Sequence, residues 1–471
     1  MNEKKSIKNS PNSEGKKVVT VTFCGGATGP TGSNFLVEIE NHKFLVDCGM
    51  FQGKEISEGR NNESFLYKPS EIEVLFVTHS HLDHIGRIPK LIQEGFRGII
   101  YSTPPTKEIT ELMLMDSLNV LTRQARARGE EAPYSGNDIK TIMSLWQTKK
   151  YGEVIEMKNG SSVIFRDSGH ILGSAMIEIK YNDKKLLFTG DLGNTPAPLL
   201  KDTEKINDVE YIIMESVYGD RNHEDKEIRG ELLKKAVLEI IRKKGTLLIP
   251  VFSIERTQEM LFEFNRMVEK GEIPMVPIFL DSPLAIKVTR VYKKYENYYN
   301  EKAKEIIRSG DDIFQFPMLR FTMEHNDSLA IDVVEEPKII MAGSGMSNGG
   351  RILRHEKKYL SDPQNALLLV GFQAAGTLGR ELQEGAKKVS IDDEDVKVKA
   401  KVSSIHGYSA HKDSDNLLDF VEEATEKDKL RKVFVVLGEP KSSLCLSQKI
   451  RDYLEVDAQV VREGSSVELS F

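Results

Sequence analysis

Along the first part of the chain, short apolar runs alternate with glycine-rich turns. VVTVTFCGG, NFLVEIE, KFLVDCG and EVLFVTH follow one another closely, and after a charged helical stretch from about Pro105 to Lys150 the pattern returns as SVIFRDSGH, AMIEIKY and KLLFTGDLG. Runs of this kind, rich in β-branched and aromatic residues and bounded by glycine, predict strands that pair with near neighbours. Tyr211 to Glu215, Y-I-I-M-E, predicts one more buried strand, ending on a carboxylate.

From Ser216 the pattern changes to long amphipathic helical segments separated by GTLLIPVFS, MVPIFLDSP, KIIMAGSG and ALLLVGFQ. That alternation predicts βαβ units and a parallel sheet covered by helices on both faces. Beyond about Gly385 the runs VKVKAKVSSIHGYS and KVFVVLG resume the pattern of the first part. The α/β block therefore reads as an insertion, and 471 residues are too many for one core. The expected division is a flexible polar leader over 1–16, a first domain over 17–215, an insert over 216–383, and the closing part of the first domain over 384–471.

Composition narrows the setting. No apolar run approaches the roughly 20 residues of a membrane span, and the leader lacks the apolar middle of a secretory signal. Three scattered cysteines, Cys24, Cys48 and Cys445, fit no metal-ligand spacing and suit a reducing compartment. The expectation is a cytoplasmic protein with no membrane partner. A net charge of −7 argues against a surface coated for nonspecific nucleic-acid binding, but leaves room for a local basic groove.

The densest chemistry lies at Thr78 to Gly86, T-H-S-H-L-D-H-I-G. The chain holds 10 histidines, and His79, His81 and His84 fall here beside Asp83. A helix cap needs one polar side chain and leaves three imidazoles unexplained. Imidazole and carboxylate together are the ligand set of divalent cations such as zinc. The cluster sits between an apolar run and a helical spacing, so its members leave a strand end and can face two adjacent metal positions. Later strands add His170 in D-S-G-H and Asp191 in T-G-D-L-G, each in a glycine-flanked turn. Asp47, at the end of KFLVD, is placed to accept a hydrogen bond from a ligating imidazole.

With Asp47, T-H-S-H-L-D-H, His170 and Asp191 in this order, the chain resembles the metallo-β-lactamase superfamily. The resemblance implies an α/β fold, an αββα sandwich with a binuclear zinc site at one edge. It assigns His79, His81 and His170 to one Zn2+, Asp83 and His84 to the other, and Asp191 as the bridge. E-S-V-Y-G-D-R from Glu215, G-S-G-M-S-N-G-G-R from Gly343 and G-Y-S-A-H from Gly407 make the insert resemble the β-CASP domain of RNA nucleases. These are the bacterial and archaeal relatives of the cleavage and polyadenylation factor nuclease, with ribonuclease J more distant. That resemblance adds His411 as the ligand completing the second zinc and Glu215 as the acidic motif residue, which orients His411 or joins the proton relay. It implies a two-metal hydroxide mechanism that hydrolyses single-stranded RNA, with no organic cofactor and with a homodimer left open.

The insert carries its own signal. Glycine- and serine-rich loops that open helices at the carboxyl ends of parallel strands suit phosphates. The candidates for RNA phosphate contacts are Ser344, Ser347, Arg351, Thr377, Arg380 and Arg256. The departing 3′-oxygen calls for a general acid. Eukaryotic relatives have a histidine after G-T-L-x-x, where this chain has Glu381, so Glu381, His355 and His406 are candidates. A DNA nuclease of the same superfamily and a small-molecule metallohydrolase are the competing enzyme readings, and a noncatalytic RNA-binding scaffold is the third class. Endonucleolytic against 5′-exonucleolytic preference is left open.

Overall fold

The computed structural model describes residues 18–53, 57–223, 226–374, 376–424 and 429–471. The leader expected over 1–16 lies outside the described residues.

Two seven-stranded sheets stack face to face in the first domain. One runs, in spatial order, Ser466–Ser470, Val18–Gly25, Asn34–Ile39, His42–Val46, Val74–Phe76, Ile99–Ser102 and Trp146–Thr148. The other runs Ala458–Val460, Lys432–Val435, Tyr211–Met214, Lys184–Phe188, Ala175–Tyr181, Ser162–Asp167 and Val154–Glu156. Phe23, Phe35, Phe44 and Phe76 of the first sheet meet Phe165, Ile177, Phe188 and Phe434 of the second in one buried core. The alternate residues point outward and are covered by helices. Leu45, Leu75 and Val77 pack under Leu91, Leu114 and Ile142, whereas Leu187, Ile212 and Val435 pack under Leu417, Leu446 and Ile450. This is the αββα sandwich that the resemblance implies.

The insert is a six-stranded, all-parallel sheet in the order Leu319–Phe321, Ile278–Asp281, Lys338–Ala342, Thr246–Pro250, Ala366–Leu369 and Lys401–Ser404. K-I-I-M-A is buried at every position because both faces are covered. Ile339 and Met341 face Leu233, Phe264 and Val288 of three helices on one side, while Ile340 and Ala342 face Ile352, Tyr359 and Leu382 on the other.

Two sequence expectations change. The helical stretch expected to Lys150 ends at Leu145, and Trp146–Thr148 becomes an edge strand of the first sheet. The expected boundary at 383/384 also falls inside the insert's fold. Lys401–Ser404 pairs in parallel with Ala366–Leu369, and the hairpin Lys388–Ile391 with Glu394–Lys397 buries Val389, Ile391 and Val396 in the insert's core. Alternating strands carry no local mark of the sheet they will join, so this was invisible in the pattern.

Among the described residues no helix is long and apolar enough to cross a membrane. Cys24 and Cys48 are buried, and burial pushes both thiols up to about 12, which leaves them inert apolar fillers.

Candidate metal centre

Five strand ends and one tight turn deliver the cluster to a single edge of the sandwich. Thr78 and His79 follow Val74–Phe76, His170 follows Ser162–Asp167, Asp191 follows Lys184–Phe188, and Glu215 follows Tyr211–Met214 directly. Asp47 follows His42–Val46, and Asp83 and His84 lie on the single-turn helix Leu82–Ile85. His411 comes from beyond the insert. Its backbone forms an antiparallel bridge to Gly193, and the Asn194 amide donates to the Ala410 carbonyl at 2.9 Å.

His79, His81, His170 and Asp191 each offer one donor atom, all within 4.8 Å of one another. Nε2 of His79 and Nε2 of His170 lie 3.4 and 3.5 Å from Asp191 Oδ2, and Nδ1 of His81 lies 3.1 Å from His79 Nε2. The other Asp191 oxygen faces His84, with Nε2 at 3.5 Å from Oδ1. Asp83 Oδ2 stands 4.0 Å from the same nitrogen. His84 Nε2 is buried with no hydrogen-bond partner. A buried nitrogen left without a hydrogen bond, facing two carboxylates, is the environment of a metal ligand rather than of a structural histidine. The donor set therefore fits divalent metal on both sides of Asp191.

Second contacts set the tautomers. His84 Nδ1 lies 2.6 Å from Asp47 Oδ2, and Asp47 in turn accepts from the Thr78 amide at 2.8 Å and from the Ser33 hydroxyl at 3.0 Å. His170 Nδ1 lies 3.2 Å from the Ala410 carbonyl, which can only accept, so that nitrogen carries the proton and Nε2 keeps its lone pair. Ser33, Thr78 and Ala410 were not among the sequence candidates. Thr78 and Ala410 adjoin predicted residues, whereas nothing local marked Ser33.

Electrostatics follow from burial and from the two carboxylates. Burial holds His79 and His170 well below the ordinary histidine value and pushes His81 down to about 4, so all three are neutral donors. Burial also disfavours the charged form of His84, but Asp191 and Asp47 outweigh it and hold that imidazole well above the ordinary value. Burial opposes ionisation of Asp191, yet His84 and His79 keep it well below the ordinary carboxylate range. Burial raises Asp83 to about 6.

Glu215 is buried and accepts from the Leu192 amide at 2.6 Å, and its Oε1 lies 3.3 Å from His411 Nδ1. His411 Nδ1 is 4.0 Å from Asp191 Oδ2, and Asp191, Glu215 and His411 form a second group able to hold a cation. Burial lowers His411, but Glu215 more than reverses this and raises it to about 9.

A metallo-beta-lactamase superfamily model matches residues 27–240, a Beta-Casp domain model residues 257–382, and a model of the Zn-dependent metallo-hydrolase RNA specificity domain residues 395–461. The chain is 35% identical to Ribonuclease TTHA0252 of Thermus thermophilus, over 90% of this chain and 94% of that protein. The chain belongs to the β-CASP family of the metallo-β-lactamase superfamily. It is also 33% identical to the RNase J-like protein of Methanocaldococcus jannaschii, over 95% of this chain and 99% of that one. To Transcription termination factor FttA of Methanosarcina mazei it is 29% identical, over 96% of this chain and 72% of that one. The crystal structure of a protein of unknown function from Enterococcus faecalis V583 shares the fold at a TM-score of 0.54 and 12% identity, covering 96% of this chain and all of that one.

The β-CASP loops hold fewer free groups than the sequence suggested. Arg256 is 4% exposed and paired with Glu259, so its charge is spent inside the domain. Ser347 is buried and donates to Glu356 Oε1 at 2.5 Å. Arg351 is committed to Asp281 at 2.7 Å and to the carbonyls of Thr322 and Met323. Thr377 caps the helix Leu378–Gln383, accepting from the Arg380 amide at 3.1 Å and donating to Ala374. The Ser344 hydroxyl accepts from the Asn348 amide, and the amides of Ser344 and Ser347 bond within the loop. Arg380 alone of the six keeps a side chain well into solvent, 40% exposed and beside Glu384.

Of the acid candidates, His355 is corrected. It is fully buried with Nε2 2.7 Å from Asp281 and serves the β-CASP core. Glu381 lies on the exposed side of its helix, and His406 opens the short turn His406–Tyr408.

Proposed function

We propose that this chain is a zinc-dependent ribonuclease that hydrolyses phosphodiester bonds of single-stranded RNA and works in the cytoplasm. The observation that carries the reading is Asp191, one buried carboxylate whose two oxygens face His79 and His170 on one side and His84 on the other. The names of the relatives, a ribonuclease, an RNase J-like protein and a transcription termination factor, support RNA as the substrate.

His79, His81 and His170 would hold one zinc, and Asp83 and His84 a second, with Asp191 common to both. Bound zinc lowers the pKa of water toward neutrality and offsets the charge of a phosphate. Asp47 and the Ala410 carbonyl keep His84 and His170 in the tautomers that ligation needs. The resemblance makes His411 a further ligand of that second site, and Asp191 and Glu215, both facing His411 Nδ1, support that role. Glu215 would orient His411, and Glu381 and His406 remain the proposed acids for the departing 3′-oxygen. Arg380 and Ser344 remain as the proposed RNA contacts.

Incubation of the zinc-loaded protein with end-labelled RNA and DNA tests the reading. Cleavage of RNA that Asp83→Ala leaves intact contradicts the two-zinc centre, and equal cleavage of DNA contradicts the RNA assignment.

A further inference from the structure

The loop that carries His170 is gripped from within its own domain. The Ser174 hydroxyl accepts from the amides of His170 and Ile171, each at 3.1 Å. Thr103 and Thr106, at the start of the helix Pro104–Arg128, donate to the Gly173 carbonyl at 2.6 and 2.9 Å.

A further contact comes from the β-CASP domain. The amide of Leu172, two residues past His170, donates to the phenol oxygen of Tyr292 at 3.2 Å, and that hydroxyl donates to Glu255 Oε2 at 2.5 Å. Tyr292 belongs to the helix Pro283–Lys294, and Glu255 stands at the N-terminus of the helix Arg256–Glu269. Both side chains are buried. Glu255 makes no capping bond to its own helix, and its backbone sits at φ +62°. Its carboxylate is turned to the phenol instead. A buried amide needs an acceptor, and for Leu172 the other domain supplies it.

The next residue reaches toward the other long-range loop of the centre. The Arg256 guanidinium lies 5.9 Å from the ring centre of Tyr408, and Arg229 donates to the Gly407 carbonyl at 3.2 Å, just before His411. The same seam carries an exposed contact, in which Lys294 pairs with Glu108 and Tyr295 donates to Glu108 at 2.7 Å.

We propose that Tyr292, held by Glu255, is a positioning residue for His170, so that tight metal binding in the first domain requires the β-CASP domain in its docked place. The proposal rests on His170 being a metal ligand. Groups that orient ligands without touching the metal typically change affinity or activity by 10- to 100-fold when removed.

Full-length protein is stripped of metal, reloaded with zinc, and titrated against a competing chelator, with thermal melting as the folding control. Tyr292→Phe is expected to weaken zinc binding about 10-fold, with kcat on RNA falling alongside and KM for RNA unchanged. Glu255→Ala, which leaves the phenol without its acceptor, reproduces that loss, whereas Glu255→Gln keeps an acceptor and retains wild-type affinity. Lys294→Met, which removes only the exposed pair, lowers the melting temperature and leaves zinc affinity unchanged. Wild-type zinc affinity in Tyr292→Phe and Glu255→Ala, or an equal loss in Lys294→Met, overturns the proposal. His170→Ala separates the two claims. If it keeps its zinc, the ligand reading itself fails, and if it loses zinc while Tyr292→Phe does not, only the positioning role fails.

Discussion

Oδ2 of Asp47 lies 2.6 Å from Nδ1 of His84, and neither side chain is exposed to solvent. The carboxylate is itself fixed by the Thr78 amide and by the hydroxyls of Thr78 and Ser33, so it cannot swing away to accept elsewhere. His84 is thereby left with one free nitrogen, and that nitrogen faces Asp191. Asp47→Ala should weaken zinc binding by about 10- to 100-fold, read by chelator competition, while leaving a folded protein by circular dichroism.

His411 and Glu215 make a prediction that separates a ligand from an acid. With His411 as a ligand, His411→Ala lowers the zinc content read by atomic absorption, and a phosphodiester with a nitrophenolate leaving group, which departs without a proton, loses as much activity as RNA. Wild-type zinc content, with the nitrophenyl substrate spared, would make His411 the acid instead.

Glu356 predicts a pH dependence of stability. Burial raises its carboxyl from 4.5 to about 8, and the Ser347 hydroxyl only partly offsets this. A raised carboxyl binds its proton more tightly in the folded state, so its contribution is complete below pH 4.5 and is lost as pH rises toward about 8. Glu356→Gln, neutral at every pH, should gain roughly 1–3 kcal/mol over wild type at pH 7 to 8. Urea melts at pH 5 and pH 8 check this, and equal differences at the two values would contradict it.

Arg380 predicts a binding effect without a chemical one. It is the one candidate phosphate contact that keeps an exposed charge, so Arg380→Ala should raise KM for RNA several-fold and flatten its salt dependence. Because Arg256 and Arg351 are spent on Glu259 and Asp281, their substitution should instead lower the melting temperature.

The cluster around Asp191 was legible because its chemistry is local. Three imidazoles in six positions need no fold to be noticed, and His170 and Asp191 each sit in a glycine-flanked turn at a strand end. His411 was reachable only through the resemblance, since G-Y-S-A-H alone carries no ligand spacing. Its partner Glu215 was likewise named only by the resemblance. Whether His411 meets Asp191 or Glu215 depends on the bridge between Gly193 and His411, which spans the whole insert. The glycine-rich loops of the insert are more closed than their composition suggests. Glycine- and serine-rich turns at strand ends have the right composition for anions, but in Gly343–Arg351 the amides of Ser344, Ser347 and Asn348 close the loop on itself. The Tyr292 contact to Leu172 joins residues far apart in the chain, and periodicity does not report such pairs.

The central claim is that the centre around Asp191 cleaves RNA. Zinc-loaded wild-type protein and Asp191→Ala are incubated with 5′-labelled single-stranded RNA, and products are resolved by length and end group. The wild type should cleave to products bearing 5′-phosphates, and Asp191→Ala should lose at least about 10³-fold of that rate. Cleavage by Asp191→Ala at the wild-type rate, or by wild type after zinc is removed, would contradict it.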